Sequence, residues 1–311
     1  MADRLTIAIA GASGNLGKKL TRAFFLPAFK SRFQDIILLS RTESPKLQEF
    51  TAQGAKIRIY NKDSLAETLS GVDVLINAIG PEGHAFKETL LRGLPATSVK
   101  LYIPSEFGVD HYVHDFPHVE WDAKKHHMDL ASKLLGQSDT KICKVFAGLF
   151  LEDSIGPWFG FNTAKGHYEA VGDSSRRISF TSMEDVGRAV ATLVSSSIDA
   201  VPEQIHLSGD SKSVEEIAQI MQENGSGSIK VSCIDLEEYK SKILARPSGT
   251  PERYLRFLMG EGKIDHTQDG IGNGNDIVNA NETNWKWKSM QDLAHETGGR
   301  PWADFKWEPT V

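Results

Sequence analysis

The first segment of the chain constrains it most. Six residues, 5-LTIAIA-10, form a short apolar run with β-branched residues. The run meets 11-GASGNLG-17 at once, and 18-KKLTRAFFLPAF-29 then places apolar residues at helical spacing. A buried strand, a glycine turn and an amphipathic helix in that order open a strand–helix–strand unit. In G-x-x-G-x-x-G, Gly11 permits the tight turn, Gly14 lets the backbone approach a pyrophosphate, and Gly17 lets the helix pack closely on the sheet. Ser13, Asn15 and Leu16 supply further contacts, with the positive end of the helix facing the phosphates. A glycine triplet alone is a weak signal, but here it follows a strand and opens a helix, which is the context dinucleotide binding requires.

The same alternation continues. Strands are expected at 35-DIILLSR-41, 56-KIRIY-60, 72-VDVLINAIG-80, 99-VKLYIP-104 and 140-TKICKVF-146, separated by helices at 64–69, 84–94 and 122–135. Continuous apolar strands between helices mean a parallel sheet covered on both faces, an α/β doubly wound architecture. After about residue 150 the pattern changes. The segment 151–173 is irregular and rich in Gly and aromatics. Shorter strands at 177–181, 203–208 and 229–235 alternate with helices at 183–196, 213–221, 236–246 and 251–260. This reads as a smaller C-terminal α/β lobe. The division expected is residues 1–155 for the nucleotide domain and 156–311 for the substrate lobe, with the chain free to cross between them more than once. The polar, glycine-rich 262–276 reads as an exposed loop.

Bulk properties exclude other classes. A net charge of −6 argues against nucleic acid or an anionic membrane as main partner. No apolar run is long enough for a transmembrane helix, and the N-terminal run is too short for a signal peptide. The two cysteines, Cys143 and Cys233, lie far apart, which suits a reducing compartment, so a cytoplasmic protein is expected. The histidines His111, His114 and His118 lie in a loop-like stretch without a metal-binding motif, and no metal is expected.

The second strand bears on cofactor choice. An NAD site places Asp or Glu at its end, on the ribose 2′-hydroxyl. This chain has Arg41 there, and Lys46 five residues on. A planar guanidinium suits a 2′-phosphate, so NADP(H) is expected. Ile79 and Gly80 at the end of the fourth strand, Pro104 after the fifth, and Phe146 are counted with the cofactor contacts.

The turn GASGNLG, the run 41-RTESPKLQEF-50, the segment 71-GVDVLINAIG-80 and above all 104-PSEFG-108 resemble the isoflavone reductase and phenylcoumaran benzylic ether reductase family, within the NmrA-like atypical short-chain dehydrogenases. The runs 146-FAGLFL-151 and 185-DVGRAV-190 are similar to later family segments, and 284-NWKWKSMQDL-293 to the tail of fungal members. The resemblance is dense over 5–155 and thin beyond. It implies an NADP-binding Rossmann domain, a smaller substrate lobe, and hydride transfer to an electron-poor carbon of a phenylpropanoid- or polyketide-like aromatic molecule, with a homodimer possible. It also leaves two other outcomes open: an NmrA-like NADP sensor without turnover, and an isomerase or cyclase on the same fold.

Ordinary short-chain dehydrogenases use Tyr-x-x-x-Lys. None of the six tyrosines here has a lysine four residues on, and Tyr112 and Tyr168 would need unusual geometry. The resembled branch instead uses a lysine as general base on the helix after PSEFG, in a Lys-x-x-apolar pattern. In 120-EWDAKKHHMDLASKLL-135 the run 125-KHHM-128 fits that pattern, so the resemblance assigns Lys125, with Lys124 one alignment slip away. The two point about 100° apart, so only one can face the cofactor. Met128 is a helix-surface neighbour of both, so the apolar stripe does not separate them. Histidine as a residue type titrates near neutrality, so His126 and His127 stand in reserve as proton carriers. Lys144 reads as a strand-end lysine. Trp158, Phe159 and Phe161 line an aromatic pocket or pack between lobes.

Overall fold

The computed structural model describes residues 4–307. Its centre is a parallel sheet of six strands: β1 (Leu5–Ala10), β2 (Phe33–Ser40), β3 (Lys56–Ile59), β4 (Val74–Asn77), β5 (Leu101–Ile103) and β6 (Lys141–Ile142). They lie in the order β3-β2-β1-β4-β5-β6. This is the doubly wound Rossmann order. Its direction of winding reverses between β1 and β4, and ligands bind outside the carboxyl ends of the strands at such a switch point. Helices α1 (Asn15–Phe24), α2 (His84–Gly93) and α3 (Val119–Leu135) follow β1, β4 and β5. Pro27 ends the first helix earlier than its apolar spacing suggests: Phe25 caps α1 and a new short turn starts at Pro27.

The strand expected over 140–146 is broken at the buried Cys143. Its first part completes the central sheet, and its second, β7 (Lys144–Phe146), leaves to pair with β12 (Gln204–His206). The remaining short strands are β8 (Leu149–Phe150), β9 (Phe161–Asn162), β10 (His167–Val171), β11 (Ile178–Thr181), β13 (Asp210–Lys212) and β14 (Lys230–Ile234). They form two three-stranded sheets, β14-β10-β9 and β13-β11-β8. β10 falls inside the segment the sequence marks as irregular.

Helix α4 (Met183–Ser195) lies beyond residue 155 yet packs on α1. Gly187 makes that possible, because a Cβ there would lie 2.8 Å from the Lys19 carbonyl. A Lys19–Glu184 ion pair at 2.7 Å borders the contact. A second core gathers Trp121, Leu151, Phe180, Ile217 and Phe257 under α5 (Val214–Glu223), α6 (Leu236–Ala245), α7 (Pro251–Gly260) and α8 (Met290–Thr297). The 262–276 segment is not simply exposed. Ile264 and His266 are fully buried, and the His266 amide donates to Ser179 Oγ at 2.8 Å.

The glycine turn sets the distance between α1 and the sheet. Gly11 has φ +85°, and a Cβ on it would sit 2.5 Å from the Ala78 carbonyl oxygen. A Cβ on Gly17 would sit 2.0 Å from the Gly11 carbonyl oxygen. That is far inside contact distance with backbone that cannot rotate away. Gly17→Ala is therefore expected to destabilise the fold by about 1–3 kcal/mol, as overpacking does. Urea unfolding measures this, and an unchanged midpoint would contradict the close approach.

Candidate functional site: a cofactor cleft opening into an aromatic pocket

Three adjoining cavities lie at the carboxyl edge of the sheet. The largest, about 820 Å³, runs from the glycine turn past the end of β2, with Gly11, Ser13, Gly14, Arg41, Lys46, Ile79 and Gly80 in its wall. Gly14 is the N-cap of α1 and offers no side-chain cap. The first amides of the helix are thus left to bind an external acceptor. Arg41 and Lys46 are both exposed at the β2 end, a donor set that suits a phosphate. Tyr60 stacks on Phe86 at 4.0 Å in the same wall, an aromatic surface that the sequence did not signal. Gly17 lies beneath the turn.

The second cavity, about 400 Å³, begins at Gly14, Asn15 and Leu16 and reaches α2 and α3 through His84, Lys87, Glu106, Glu120 and Lys124. The third, about 550 Å³, shares Glu120, Lys124, Phe150 and Asp153 with it and adds Trp121, Trp158, Phe159, Leu255 and Trp302. Trp302 is fixed by its indole donating to the Glu152 carbonyl at 2.9 Å and meets Trp158 edge-on at 5.1 Å. Phe161 lies elsewhere, buried against Tyr168 in the lobe core.

Of the two lysines on α3, Lys124 lines both cavities and Lys125 lines neither. Lys124 Nζ donates to the Glu106 carbonyl at 2.9 Å and sits 3.8 Å from its carboxylate. Lys125 turns away and donates to the His114 carbonyl at 3.3 Å. Glu120, Trp121 and Lys124 share one face of the helix through i,i+3 and i,i+4 spacing, and that face is the one turned to the cleft. His126 is exposed on the helix. His127 is buried beneath the helix, where its Nε2 is 2.8 Å from the Tyr102 hydroxyl, which accepts from Asn77 at 3.0 Å. Burial holds His127 neutral, with its pKa lowered to about 4.

Pro104 and Phe146 stand outside the cleft walls. Pro104 is buried and its carbonyl accepts the Glu106 amide at 2.8 Å, closing the PSEFG turn. Phe107 in that turn has φ 22°, a conformation rare for a residue with a Cβ. The turn brings the carbonyl and the carboxyl of Glu106 to the same lysine. Phe146 is fully buried and stacks on His206 at 5.1 Å. Lys144 lies over the Tyr112 ring at 4.6 Å. Tyr168 is bonded to Thr163 at 2.9 Å in the lobe core. His114 and His118 are buried as rings: one stacks on Phe116 at 4.0 Å, and the other meets Trp121 at 4.4 Å. Among the described residues no group of His, Cys, Asp or Glu is arranged to hold a metal ion.

The sequence reading missed the charged lining of the cleft. Lys87 is 4% exposed, and burial together with the Lys124 ammonium lowers its pKa to about 8. Glu106 is equally buried, and burial raises its pKa against the pull of Lys124. Burial also raises Glu120. His84 is lowered by partial burial and then by Lys87 and Lys124. A signal for Lys87 was present. It precedes the fully buried Leu90 and Leu91 by three and four residues, so it occupies the inward stripe of α2.

A reversed sheet, a glycine turn with free helix amides, and a cleft that runs on into an aromatic-lined pocket define a Rossmann-type protein with a cofactor cleft. The NmrA-like family model matches residues 3–275, and the chain belongs to that family. An NmrA-like family domain-containing oxidoreductase of Gibberella moniliformis is 30% identical over 203 residues, covering 64% of this chain and 66% of the relative. A probable pinoresinol-lariciresinol reductase 3 of Arabidopsis thaliana is 35% identical over 109 residues, 33% of this chain and 34% of its own. The matches thus span from about a third to just under two thirds of these relatives. The structure of a leucoanthocyanidin reductase–NADPH binary complex from Vitis vinifera superposes with a TM-score of 0.76 at 14% identity, over 94% of this chain and 99% of that one. At that identity the likeness shows the fold.

The His127–Tyr102–Asn77 contact predicts a pH effect. A histidine with a depressed folded pKa contributes stability that is present above its ordinary value of 6.5 and lost as pH falls toward 4. His127→Gln removes that titration. The stability difference between wild type and this variant should shrink by up to about 1.4 kcal/mol per pH unit on acidifying from neutrality, read from urea unfolding across the range. A constant difference would show that His127 is not held neutral.

Proposed function

We propose that this protein is an NADPH-dependent reductase of an aromatic small molecule, with Lys124 as its proton-carrying residue. One observation carries the reading: Lys124 stands where the phosphate-binding cleft opens into the aromatic pocket. The fold match to an NADPH complex and the reductase names of the relatives support it.

Bound in the cleft, NADPH would supply a hydride. The chain's own residues supply the rest. Amides of the glycine turn and α1 hold the pyrophosphate. Arg41 binds the 2′-phosphate with its planar fork, and Lys46 adds a second charge. Trp121, Trp158 and Trp302 hold a planar guest by stacking and exclude water. Lys124, oriented by the Glu106 carbonyl, gives a proton to the oxygen or carbon that becomes basic as hydride arrives. This reading moves the proton from Lys125, which the family pattern suggests, to its neighbour. His126 and His127 take no part, the first because it faces solvent and the second because it is buried with its Nε2 held by the Tyr102 hydroxyl.

Two measurements test this. NADPH oxidation should be followed spectrophotometrically with pinoresinol, a leucoanthocyanidin and isoflavones as probes. Lys124→Met is expected to lower turnover on the order of 10²-fold or more, while Lys125→Met stays within a few-fold of wild type. Full activity in the Lys124 variant would sink the role. Tight NADPH binding with no probe consumed would favour a sensor. Arg41→Ala should weaken NADPH binding about 10- to 100-fold and leave NADH binding nearly unchanged, as loss of a charged hydrogen-bonding partner does. Calorimetric titration with both nucleotides reads the difference, and equal losses for both would overturn the selectivity role.

A further inference from the structure

The proton-carrying role assigned to Lys124 leaves the second cleft lysine unused. Lys87 is nine-tenths buried in the wall of the 400 Å³ cavity, on the inward stripe of α2. Among the described residues it forms no hydrogen bond or ion pair. The charged groups that face it are Lys124 on α3, Glu106 in the PSEFG turn, Glu120 at the start of α3, His84 on its own helix and His127 on α3. The two carboxylates act on it only across space. A buried ammonium without a direct partner is costly, and the cost is recovered only when an anion reaches it. Among the described residues no carboxylate does so. The open side of Lys87 is the cavity.

We propose that Lys87 is an oxyanion-binding residue, and that the substrates of this site are aromatic carbonyl or quinone-type compounds whose reduction places negative charge on oxygen. The proposal rests on the reductase reading above and names its substrate class. When a carbon–hydrogen bond forms from the hydride, the carbonyl π pair moves to oxygen and the nicotinamide is oxidised. That oxygen then takes one proton from the Lys124 ammonium, leaving a neutral amine and a hydroxyl product. Two cations suit the step. Lys124 delivers the proton, while Lys87 stays charged and stabilises the oxygen as charge develops, which is where a fixed donor in a water-poor site is most effective. The stable counterpart of that state is an aromatic phenolate.

The test uses p-nitrophenol, whose phenolate absorbs separately from the phenol, on wild-type protein saturated with NADP⁺. About one pH unit below the phenol's own pKa, binding should raise the phenolate fraction several-fold. The uncharged p-nitroanisole should bind at least about tenfold more weakly. Lys87→Met should abolish the absorbance rise and weaken nitrophenolate binding at least about tenfold, with NADPH affinity unchanged. In Lys124→Met the rise should persist, because Lys87 still holds the anion. A thermal melt of Lys87→Met should be unchanged or raised, since a buried unpaired charge has been replaced by an apolar chain of similar length. A lowered melt would mark Lys87 as a structural residue. Nitrophenol bound in its neutral form, or a phenolate signal retained in Lys87→Met, would overturn the proposal. So would a loss of NADPH affinity in that variant, which would give the lysine to the cofactor's phosphates. The readout needs no turnover. Ionisation of the phenol without NADPH consumption on any probe would fail the reductase reading alone, and turnover without phenolate binding would fail this site alone.

Discussion

Everything at the site depends on how closely α1 approaches the sheet. The Gly11 carbonyl oxygen occupies the space that a side chain at position 17 would need. Only a bare Cα there lets the helix start directly over the strand ends. That approach aims the uncapped amides of the helix at the switch point of the sheet, where the crossover directions diverge. It also fixes the floor of the cleft against Ile79 and Gly80 after β4, and through them the position of α2. A wider turn would leave the same residues in sequence and no narrow cleft between them.

A second turn does comparable work on the other side of the cleft. PSEFG closes tightly and carries Phe107 at a positive φ. Strain at such positions persists where surrounding structure demands it, and it clusters at functional sites. Here the result is that one residue, Glu106, presents both its carbonyl and its carboxyl to Lys124. The carboxyl is buried and its pKa is raised, so its field is partly withheld from the lysine it touches. Lys87, Lys124, Glu106 and Glu120 thus line one small cavity, where burial pushes Lys87 and both carboxyls toward their neutral forms. A site of that kind is sensitive to the charge of whatever enters it.

Much of the nucleotide half was legible in the sequence, because its signals are local. Continuous apolar runs alternating with helical spacing marked the six strands, and the glycine spacing marked the turn. Arg41 was legible because its position follows from the end of a strand. The other half was harder. β10 is hidden in a glycine- and aromatic-rich run, and its partners, β9 and β14, lie at very different sequence distances. The 140–146 run reads as one strand, but Cys143 divides it between two sheets. Phe146 reads as a cofactor contact, but it follows the second of those sheets and packs on His206.

The sequence by itself determined a parallel α/β sheet, a glycine turn at its first crossover and a lysine-bearing helix beyond the fifth strand. Each follows from spacing along the chain, and spacing survives without tertiary contacts. Only the tertiary structure decided which of two adjacent lysines meets the cleft. Helical period leaves Lys124 and Lys125 equivalent until the rotation of α3 is fixed, and that rotation is fixed by Trp121 packing in the second core and by His127 bonding to Tyr102 behind it. The tertiary structure also brought Lys87, from a different helix, into the same cavity. No spacing along the chain relates residues 87, 106 and 124. They meet because the sheet places the ends of β4 and β5 side by side, and the segments that leave those ends must share the space above them.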